Sequence, residues 1–304
     1  APPRAEAATA AAPAQASAPV KVRGKTAVVT GASQGSGRAV ALSLARRGYN
    51  VALCSRTEAT LEATQAEVAA VAGKQDGAVE RTFALPTDLT SAEDVAAFAD
   101  QVSGRFEQVD LLINCAGVCC SGSFEDTCDA GQFESQFESN LMTAVRPIRA
   151  FLPMLKARAA KSGGRPAPRV VNINSFGGKL PLRNMTAYTA TKFALDGLSQ
   201  ALAFELADEG VKVSQVHPGV IQSSFLERAQ FVGERGKKAQ ETMNAMLGPD
   251  APGGGMVQSP DDIADAVLDC IENDKAEVVV GGLFKASIGM NKYLGLNPFG
   301  LAQP

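Results

Sequence analysis

The sequence predicts an α/β fold, in which a single doubly wound parallel sheet of seven strands carries helices on both of its faces. Three observations lead to this fold class. Short apolar runs alternate with longer amphipathic segments from Lys25 to about residue 282, and parallel strands have to be joined by crossovers, usually helices. A glycine-rich turn follows the first apolar run. The 304 residues are 45% hydrophobic, which suits one large core rather than two.

The first half of the chain contributes four strands and three helices. The predicted strands are TAVVTG (26–31), NVALCSR (50–56), ERTFALP (80–86) and VDLLINCAG (109–117). The helices between them are GRAVALSLARRG (37–48), EATLEATQAEVAAVAG (58–73) and SAEDVAAFADQVSGRF (91–106). The strand segments are short apolar runs, whereas the helical ones are longer and amphipathic.

The second half continues the alternation with three helices and three strands. A long helix is predicted over about residues 130–160, and the Gly/Pro-rich break SGGRPAP follows it. The remaining strands are PRVVNINS (168–175), VKVSQVHPG (211–219) and AEVVVGG (276–282), and the remaining helices are 186–210 and 259–273. The sequence has no internal repeat of solenoid length, so it predicts one sheet rather than a repeat architecture.

A disordered tail is expected over residues 1–22, because residues 1–20 contain ten Ala and four Pro without apolar periodicity. The chain begins with Ala rather than Met, which suggests that a targeting segment was removed and that the protein works in an organelle such as the plastid stroma. A cloning boundary or an ordinary flexible terminus explains the same start, and then the compartment is the cytoplasm.

The rest of the chain divides into a folded domain and a short extension. The domain is expected over residues 23–285, with an insert at about 221–257, here called the lid segment, above the sheet edge. Its apolar residues suggest a hydrophobic substrate or simple packing onto the body; they are Phe225, Leu226, Phe231, Met243, Met246 and Leu247. Residues 286–304 form a C-terminal extension that covers a partner subunit, the active site or a membrane surface.

The charge balance argues against several classes of partner. Lys and Arg number 29 against 32 Asp and Glu, and a net charge of −3 gives no reason to expect nucleic acid or an anionic membrane. No apolar run approaches the roughly 18 residues of a transmembrane helix, so we expect a soluble body and leave peripheral membrane contact open. A small molecule fits this composition better.

The cysteine and histidine contents limit the chemistry. The six cysteines form no CxxC pairs and are interpreted as reduced thiols in a reducing compartment. His217 is the single histidine, which excludes a multi-histidine metal site and any Ser-His-Asp triad that needs another histidine. We therefore predict no metal and interpret His217 as a structural turn residue.

The glycine-rich turn TGASQGSG, residues 30–37, has the features of a dinucleotide site. Gly31, Gly35 and Gly37 allow a tight turn and let a pyrophosphate approach the helix N-terminus. The loop residues Ser33, Gln34 and Ser36 complete the predicted contacts. A lone glycine cluster is weak evidence, but its position after the first strand of a βαβ unit strengthens it.

The end of the second strand predicts which dinucleotide binds. An NAD site commonly has an Asp or Glu here, whereas this chain has Ser55 and Arg56. An arginine pairs with a ribose 2′-phosphate that an acid would repel. The sequence therefore favours NADP(H) over NAD(H), and the alternative is that Arg56 is a solvated loop charge.

Three side chains between residues 175 and 192 suggest proton transfer. Tyr188 and Lys192 are four positions apart, so they share one face of a helix. An ammonium beside the phenol is expected to lower the phenol pKa from about 10 towards the working pH. Ser175 ends the fifth strand and can donate to a substrate oxygen. Alone, Ser175 is more simply explained as a polar strand end, and Tyr188 with Lys192 as a pair on the surface of an amphipathic helix, but the combination favours an enzyme.

With these motifs in order, the chain resembles the short-chain dehydrogenase/reductase family over nearly all of residues 24–282, which implies a Rossmann-type fold. TGASQGSG resembles the family's TGxxxGxG turn, NCAG at 114–117 its NNAG strand end, and HPG at 217–219 its PG turn. Ser175, Tyr188 and Lys192 match the catalytic positions. The departures are Ser36 in place of Ile and Cys115 in place of the second Asn, which put cofactor affinity in doubt more than the fold.

The resemblance also implies roles that the spacing alone does not. Asn140 is expected to hold a water that connects Lys192 to solvent, and Lys192 to hold the nicotinamide ribose along with Tyr188. Further cofactor contacts are implied at Asp88, Leu89, Asn114, Ala116, Gly117, Pro218, Gly219 and Val220. Family members usually pair through two long helices, here about 130–160 and 186–209, so a homodimer or homotetramer is expected.

These observations together predict an NADPH-dependent carbonyl reductase, reversible towards the alcohol, that acts on a hydrophobic small molecule such as a lipid, steroid-like or aromatic ketone. The alternative is a dinucleotide-binding regulatory or scaffold subunit that kept the fold without turnover. The complete Ser175, Tyr188 and Lys192 set argues against that alternative.

Overall fold

Seven parallel strands form the central sheet of the computed structural model, which describes residues 21–75, 79–161, 166–222, 226–247 and 257–298. The strands are β1 (Thr26–Thr30), β2 (Asn50–Ser55), β3 (Thr82–Pro86), β4 (Leu111–Asn114), β5 (Arg169–Ile173), β6 (Lys212–His217) and β7 (Glu277–Val279). Their spatial order is β7-β6-β5-β4-β1-β2-β3, and all six pairings are parallel. The predicted doubly wound sheet is confirmed.

The direction of strand order reverses between β1 and β4, and this reversal places the functional site. Helices follow β1 and β4 on opposite faces of the sheet, so a crevice opens at the carboxyl ends of these two strands, where doubly wound sheets bind ligands. The central strands β1, β2, β4 and β5 are buried throughout, as expected for strands covered on both faces. Most of their side chains fill the core, and the last residues of β2 and β5, Ser55 and Ile173, also line the crevice.

Ten α-helices are assigned in the described part of the chain. They are α1 (Gly35–Arg46), α2 (Glu58–Ala72), α3 (Ala92–Arg105), α4 (Phe124–Asp129), α5 (Gln132–Phe137), α6 (Thr143–Lys161), α7 (Thr186–Ala207), α8 (Gly233–Leu247), α9 (Pro260–Glu272) and α10 (Gly282–Leu294). Helices α1, α2 and α9 cover one face of the sheet, and α3, α6 and α7 cover the other. Alternate β1 residues serve the two cores, since Ala27 and Val29 join the first and Val28 joins the second.

The helix predicted over about residues 130–160 is interrupted. Helix α5 ends at Phe137, a π-helical turn spans Glu138–Met142, and α6 begins at Thr143. The turn contains the predicted catalytic residue Asn140. Amphipathic periodicity did not show this interruption, because a single wide turn shifts the pattern by only one residue.

Two predicted domain boundaries are wrong by a few residues. Val22 was assigned to the disordered tail, but it is 1% exposed and pairs with Phe106. The C-terminal extension was expected to begin at residue 286, but α10 begins at Gly282 and anchors through Phe284, which is fully buried. Residues 1–20, 299–304 and 248–256, which the tail, extension and lid predictions include, lie outside the described residues.

The lid segment contains one α-helix in its described part, where one or two were predicted. Helix α8 follows a short 3₁₀ turn at Leu226–Arg228 and a bridge in which Gln230–Phe231 pairs with Cys120–Ser121. A second bridge joins Val220–Ile221 to Val257–Gln258. Phe225 and the side chains of Leu226 and Met246 lie outside the described part. No helix among the described residues is both long and apolar enough to cross a membrane.

Candidate active site

A deep cleft opens at the carboxyl edge of the sheet, where the strand order reverses. It is lined by the β1–α1 turn, the ends of β2, β4 and β5, the start of α7 and the lid segment. The predicted residues among its walls are Gly31, Ser33, Gln34, Gly35, Ser36, Gly37, Ser55, Arg56, Asp88, Leu89, Ala116, Gly117, Ser175, Tyr188, Lys192, Pro218, Gly219 and Val220. Tertiary structure therefore gathers into one cleft motifs that are spread over 190 positions of the sequence.

The glycine turn is shaped so that no other residue fits at two of its positions. Gly31 has φ +63°, and a Cβ there would lie 2.8 Å from the backbone nitrogen of Ala116. A Cβ on Gly37 would lie 2.3 Å from the Gly31 carbonyl oxygen. Because α1 begins at Gly35, its unpaired N–H groups and positive dipole end face the cleft. The turn can hold a pyrophosphate.

The far end of the cleft carries polar and positively charged groups. The Ser55 hydroxyl is buried, and no described residue hydrogen-bonds to it. Arg56 is exposed beside it, and Arg228 from the lid segment lines the same cleft. The pKa of Arg228 is lowered by burial and then by the nearby charge of Arg56. Two like-charged arginine side chains lie at the same end of the cleft, and a bound phosphate group would offset the repulsion between them.

Asp88 and Leu89 form the wall next to this end. The Asp88 carboxylate accepts hydrogen bonds from the Thr90 backbone at 2.9 Å and the Thr90 hydroxyl at 2.8 Å, and these bonds lower its pKa. Leu89 is 5% exposed and packs into the core beneath it. The pair presents a fixed charge and an apolar surface to the cleft.

Asn114 and Asn140 are buried behind the cleft rather than in its walls. Asn114 donates to the Asn172 side chain at 2.9 Å and so joins β4 to β5. The side-chain carbonyl of Asn140 accepts a hydrogen bond from the Val118 backbone N–H at 2.9 Å. The side-chain amide of Asn140 donates to the Gln136 side chain at 3.0 Å and to the Thr191 hydroxyl at 3.3 Å. Asn140 therefore holds the loop that follows Gly117. Its predicted role in a proton path stays a prediction.

Ser175, Tyr188 and Lys192 meet at the inner end of the cleft. All three are at least 94% buried as residues, with exposures of 6%, 6% and 4%. The hydroxyls of Ser175 and Tyr188 are hydrogen-bonded, and the Ser175 oxygen also accepts from the Gly177 backbone at 3.0 Å. The Lys192 ammonium donates to the Ile173 carbonyl at 3.5 Å. The structure thus brings together Ser175, Tyr188, which is thirteen positions further along the sequence, and Lys192, which is four positions beyond Tyr188.

The protonation of this group differs from the expectation. Burial raises the pKa of Tyr188 above its ordinary value, and the Ser175 hydrogen bond opposes this only in part. The reason is geometric, since the Lys192 nitrogen lies 5.7 Å from the centre of the Tyr188 ring and faces the ring. The predicted lowering of the Tyr188 pKa by Lys192 is not observed. Burial instead lowers the pKa of Lys192 to about 8.

The wall beyond Tyr188 is apolar. Cys119, Met185 and Tyr188 form a small cluster, against which Leu182, Ala229 and Met243 pack. Leu182 and Met185 come from the loop after Ser175, and Met243 comes from lid helix α8. Burial raises the pKa of the Cys119 thiol to about 12, so Cys119 acts here as an apolar packing residue rather than a reactive thiol.

The turn Pro218–Gly219–Val220 closes the cleft opposite the glycine turn. The Gly219 backbone donates to the Gln258 side chain at 2.9 Å. A Cβ on Gly219 would lie 2.0 Å from the Phe284 ring, and that ring packs against Phe176 at a tilt of 42°, with the ring centroids 4.6 Å apart. Helix α10 is therefore part of the support for the active-site turn.

Sequence reasoning missed several residues that line the cleft. Thr87, Thr90, Val118, Ser139, Thr143 and Ile221 adjoin predicted motifs, so their neighbours signalled them. Arg228 had no such signal, because the path of the lid segment brings it to the cleft, whereas Met243 was among the apolar lid residues expected above the sheet edge. The described residues of the cleft fit a dinucleotide, on the grounds of the crowded glycine turn and the buried, unpaired Ser55 hydroxyl.

Comparisons with known proteins agree with this geometry. A family model described as short chain dehydrogenase matches residues 25–231. The probable oxidoreductase EphD of Mycobacterium tuberculosis is 32% identical over 255 residues, which cover 81% of this chain and 39% of EphD, so the chain spans about two fifths of that relative. The ketoacyl reductase HetN of a Nostoc species is 31% identical over 257 residues, covering 84% of this chain and 78% of HetN.

Solved structures show the same fold with either dinucleotide. A short-chain dehydrogenase/reductase from Burkholderia phymatum in complex with NAD has a TM-score of 0.77 at 24% identity, covering 92% of this chain and 97% of that chain. A metagenomic short-chain oxidoreductase in complex with NADP has a TM-score of 0.64 at 30% identity, covering 84% and 96%. The fold therefore leaves the choice between NAD and NADP to the side chains of the cleft.

Proposed function

Because the chain belongs to the short-chain dehydrogenase family of oxidoreductases, we propose that it is an NADPH-dependent carbonyl reductase. The observation that carries the proposal is the buried contact of Ser175, Tyr188 and Lys192 at the inner end of a cleft whose other end fits a dinucleotide. The reaction is reversible, so the same residues also serve oxidation of the alcohol.

The proposed chemistry divides between the bound cofactor and the protein. When bound, the reduced nicotinamide supplies the hydride that the carbonyl carbon accepts. The Tyr188 hydroxyl gives its proton to the carbonyl oxygen, and the Ser175 hydroxyl donates a hydrogen bond to the same oxygen. The raised pKa of Tyr188 keeps the phenol protonated at neutral pH, which is the state that reduction requires.

Lys192 would stabilise the phenolate that Tyr188 becomes once its proton has left. Its pKa of about 8 leaves it charged in most molecules at pH 7 and lets it exchange a proton near that pH. Asn140 lies on the same side through its contact with Thr191 and would connect this exchange to a water path. The roles expected for Lys192 and Asn140 are thus part of the proposal.

The proposed substrate is a hydrophobic carbonyl compound. The walls next to Tyr188 are Cys119, Leu182, Met185 and Met243, and apolar walls bind apolar surface. Met243 reaches the cleft from the lid segment, so the lid would exclude water from the reacting groups. HetN, the similar protein from Nostoc, is described as a ketoacyl reductase, which is compatible with a carbonyl substrate that carries an apolar chain.

The first experiment separates an enzyme from a non-catalytic binding subunit. NADPH oxidation is followed against a panel of apolar ketones and aldehydes, with wild type beside Tyr188→Phe. We expect the variant to lose at least about 100-fold in kcat, as expected for loss of general acid catalysis, while its NADPH affinity by fluorescence changes little. Cofactor binding without any turnover that depends on Tyr188 would favour the regulatory or scaffold subunit.

The cofactor preference rests on Ser55, Arg56 and Arg228 and has its own experiment. Removal of a charge-assisted phosphate contact raises Kd by roughly 10-fold or more. Arg56→Ala and Arg228→Ala should therefore weaken NADPH binding in titrations by about this factor and leave NADH binding nearly unchanged. Lys21→Ala, at an exposed lysine outside the cleft walls, is the control. Equal losses for both dinucleotides would contradict the NADP proposal.

A further inference from the structure

A cluster of four charged or titratable groups lies directly behind Ser175 and outside the cleft walls. Lys179, in the loop between Ser175 and helix α7, has a side chain that is 16% exposed. Its ammonium pairs with Asp196 of α7 at 2.9 Å and with Glu277 of β7 at 2.7 Å. The fourth member is His217, at the end of β6 and fully buried. The cluster joins four separate elements.

The imidazole of His217 contacts the backbone of Ser175. Its Nδ1 lies 3.0 Å from the Ser175 carbonyl oxygen, and a carbonyl only accepts, so Nδ1 carries the proton and donates. The other nitrogen, Nε2, has no hydrogen-bond partner among the described residues. It lies 3.8 Å from a carboxylate oxygen of Asp196 and 3.8 Å from one of Glu277. Thus the Ser175 carbonyl accepts from two donors, the His217 imidazole and the Gly178 backbone N–H at 3.0 Å.

Lys179 reduces the negative charge that Asp196 and Glu277 present to His217. Burial opposes its charge, but hydrogen bonds to Asp196 and Glu277 outweigh burial and raise its pKa. The ammonium between them compensates one of the two negative charges, which weakens the attraction of the carboxylates for a second proton on His217. The groups that face the imidazole are Lys179, Asp196, Glu277 and the Ser175 carbonyl, and the net result, led by burial, is a lowered pKa for His217.

The backbone next to Lys179 is also tightly placed. A Cβ on Gly178 would lie 2.7 Å from the carbonyl oxygen of Lys192, so the loop packs directly on the catalytic helix. Asp196 is one helical turn beyond Lys192 and also accepts from Gln215 at 2.8 Å. A change in the cluster is therefore transmitted to Ser175 through His217 and to Lys192 through α7.

We propose that Lys179, Asp196, Glu277 and His217 are positioning residues that hold Ser175 and the loop after it in the geometry for proton transfer. The four residues touch neither the substrate nor the cofactor. Burial and the charge of Lys179 together keep His217 neutral with its proton on Nδ1, and this proton helps to hold the Ser175 carbonyl. The role rests on the proposed function of Ser175, whereas the state of the cluster itself does not depend on that function.

The first test uses the fact that His217 is the chain's single histidine. Untagged full-length protein with ¹⁵N-labelled histidine gives one imidazole, whose two nitrogens are read by long-range ¹H–¹⁵N NMR at several pH values. Wild type should show a neutral ring protonated at Nδ1 at pH 7, with a pKa below the ordinary value of about 6.5. Lys179→Met should raise that pKa, because two unneutralised carboxylates then face Nε2. A wild-type proton on Nε2, or an unmoved pKa in the variant, would overturn the proposal.

The second test measures catalysis with matched variants. Lys179→Met and Lys179→Gln should lower kcat about 10-fold or more while the Kd for NADPH stays within about twofold, and Lys179→Arg should restore most of kcat. The control is Lys156→Met, which breaks the exposed Lys156–Glu209 ion pair of 2.6 Å far from the site. A kcat unchanged in Lys179→Met, or no recovery in Lys179→Arg, would refute a positioning role. If wild type turns over no carbonyl, the proposed function fails, and the NMR result still decides the state of the cluster.

Discussion

Lys192 is a buried charge, and it illustrates at the scale of one residue how a site can oppose stability. Its residue exposure is 4%, and in the described structure its ammonium has one long hydrogen bond to a carbonyl, of 3.5 Å, and no carboxylate partner. Burial accordingly lowers its pKa from 10.5 to about 8. Charged groups without a close counter-ion are unfavourable in a folded interior.

We predict that Lys192→Met stabilises the fold while it abolishes turnover. Below pH 8 the Lys192 side chain is charged in both the folded and the unfolded state. Because burial of this charge destabilises folded wild type, the free energy of unfolding of the variant should be higher by about 1–3 kcal/mol. Between pH 8 and 10.5 the unfolded state binds more protons than the folded state, so wild type gains relative stability and the difference shrinks towards zero. Urea denaturation of both proteins from pH 7 to 10.5 measures this.

The control for this prediction is Lys156→Met, at an exposed lysine whose removal should change stability by less than about 1 kcal/mol at any of these pH values. A destabilised Lys192→Met at pH 7, or a difference that grows with pH, would contradict the buried-charge interpretation.

At the scale of elements, lid helix α8 begins at a glycine that is crowded by a side chain of α4. Gly233 begins the helix at φ +66°, and a Cβ there would lie 2.1 Å from the Asp126 carboxylate of α4. The Val232 backbone also donates to the Ser121 carbonyl at 2.9 Å. The lid is thus held to the body at its start by a backbone hydrogen bond and by contact with the Asp126 side chain, with Met243 two to three turns further along.

We predict that Gly233→Ala loosens the lid without unfolding the protein. The added methyl group has to displace either α8 or Asp126, so trypsin should cut at Arg235, Lys237 and Lys238 several-fold faster than in wild type. Gly131→Ala is the matched control, since its φ is +65° but nothing lies within 4 Å of a Cβ there. Gly131→Ala therefore introduces the backbone strain of a positive φ, roughly 1 kcal/mol, without a steric clash. Equal cleavage rates in the two variants would show that contact with Asp126 does not hold the lid.

At the scale of the whole molecule, the outer face of α7 exposes two large apolar side chains. Phe193 is 43% exposed and Phe204 is 83% exposed, and eleven residues of separation place them on one side of the helix. Gly197 lies between them with open space around its Cβ position. This face is part of the region through which the family resemblance predicts pairing, and the homodimer or homotetramer remains a prediction.

We predict that Phe204→Glu converts the assembly to monomers, because a carboxylate on a buried apolar contact is unfavourable. Light scattering coupled to size-exclusion chromatography at several concentrations measures the mass. Phe124→Glu, at a phenylalanine that is 58% exposed on α4, should leave the mass unchanged. A wild type that is already monomeric, or a Phe204→Glu protein of unchanged mass, would exclude pairing through this face.

Much of the active site was predictable because local motifs encode it. Gly31 and Gly37 are required by backbone crowding within the turn itself, and Tyr188 and Lys192 share a helix face by their spacing alone. The protonation of Tyr188 was not predictable, because sequence spacing gives neither the burial of the phenol nor the direction in which the Lys192 ammonium points. Arg228 was missed because its place depends on the path of the lid segment.

The sequence by itself determined the α/β fold and the seven strands, and it predicted that Ser175, Tyr188 and Lys192 act together, because periodicity and short motifs report contacts between near neighbours. The tertiary structure alone decided that Lys179, Asp196, His217 and Glu277 meet behind Ser175. These residues come from a loop, a helix and two strands, spread over 99 positions. Their meeting follows from the strand order of the sheet, which brings β5, β6 and β7 side by side, and no local pattern records that order.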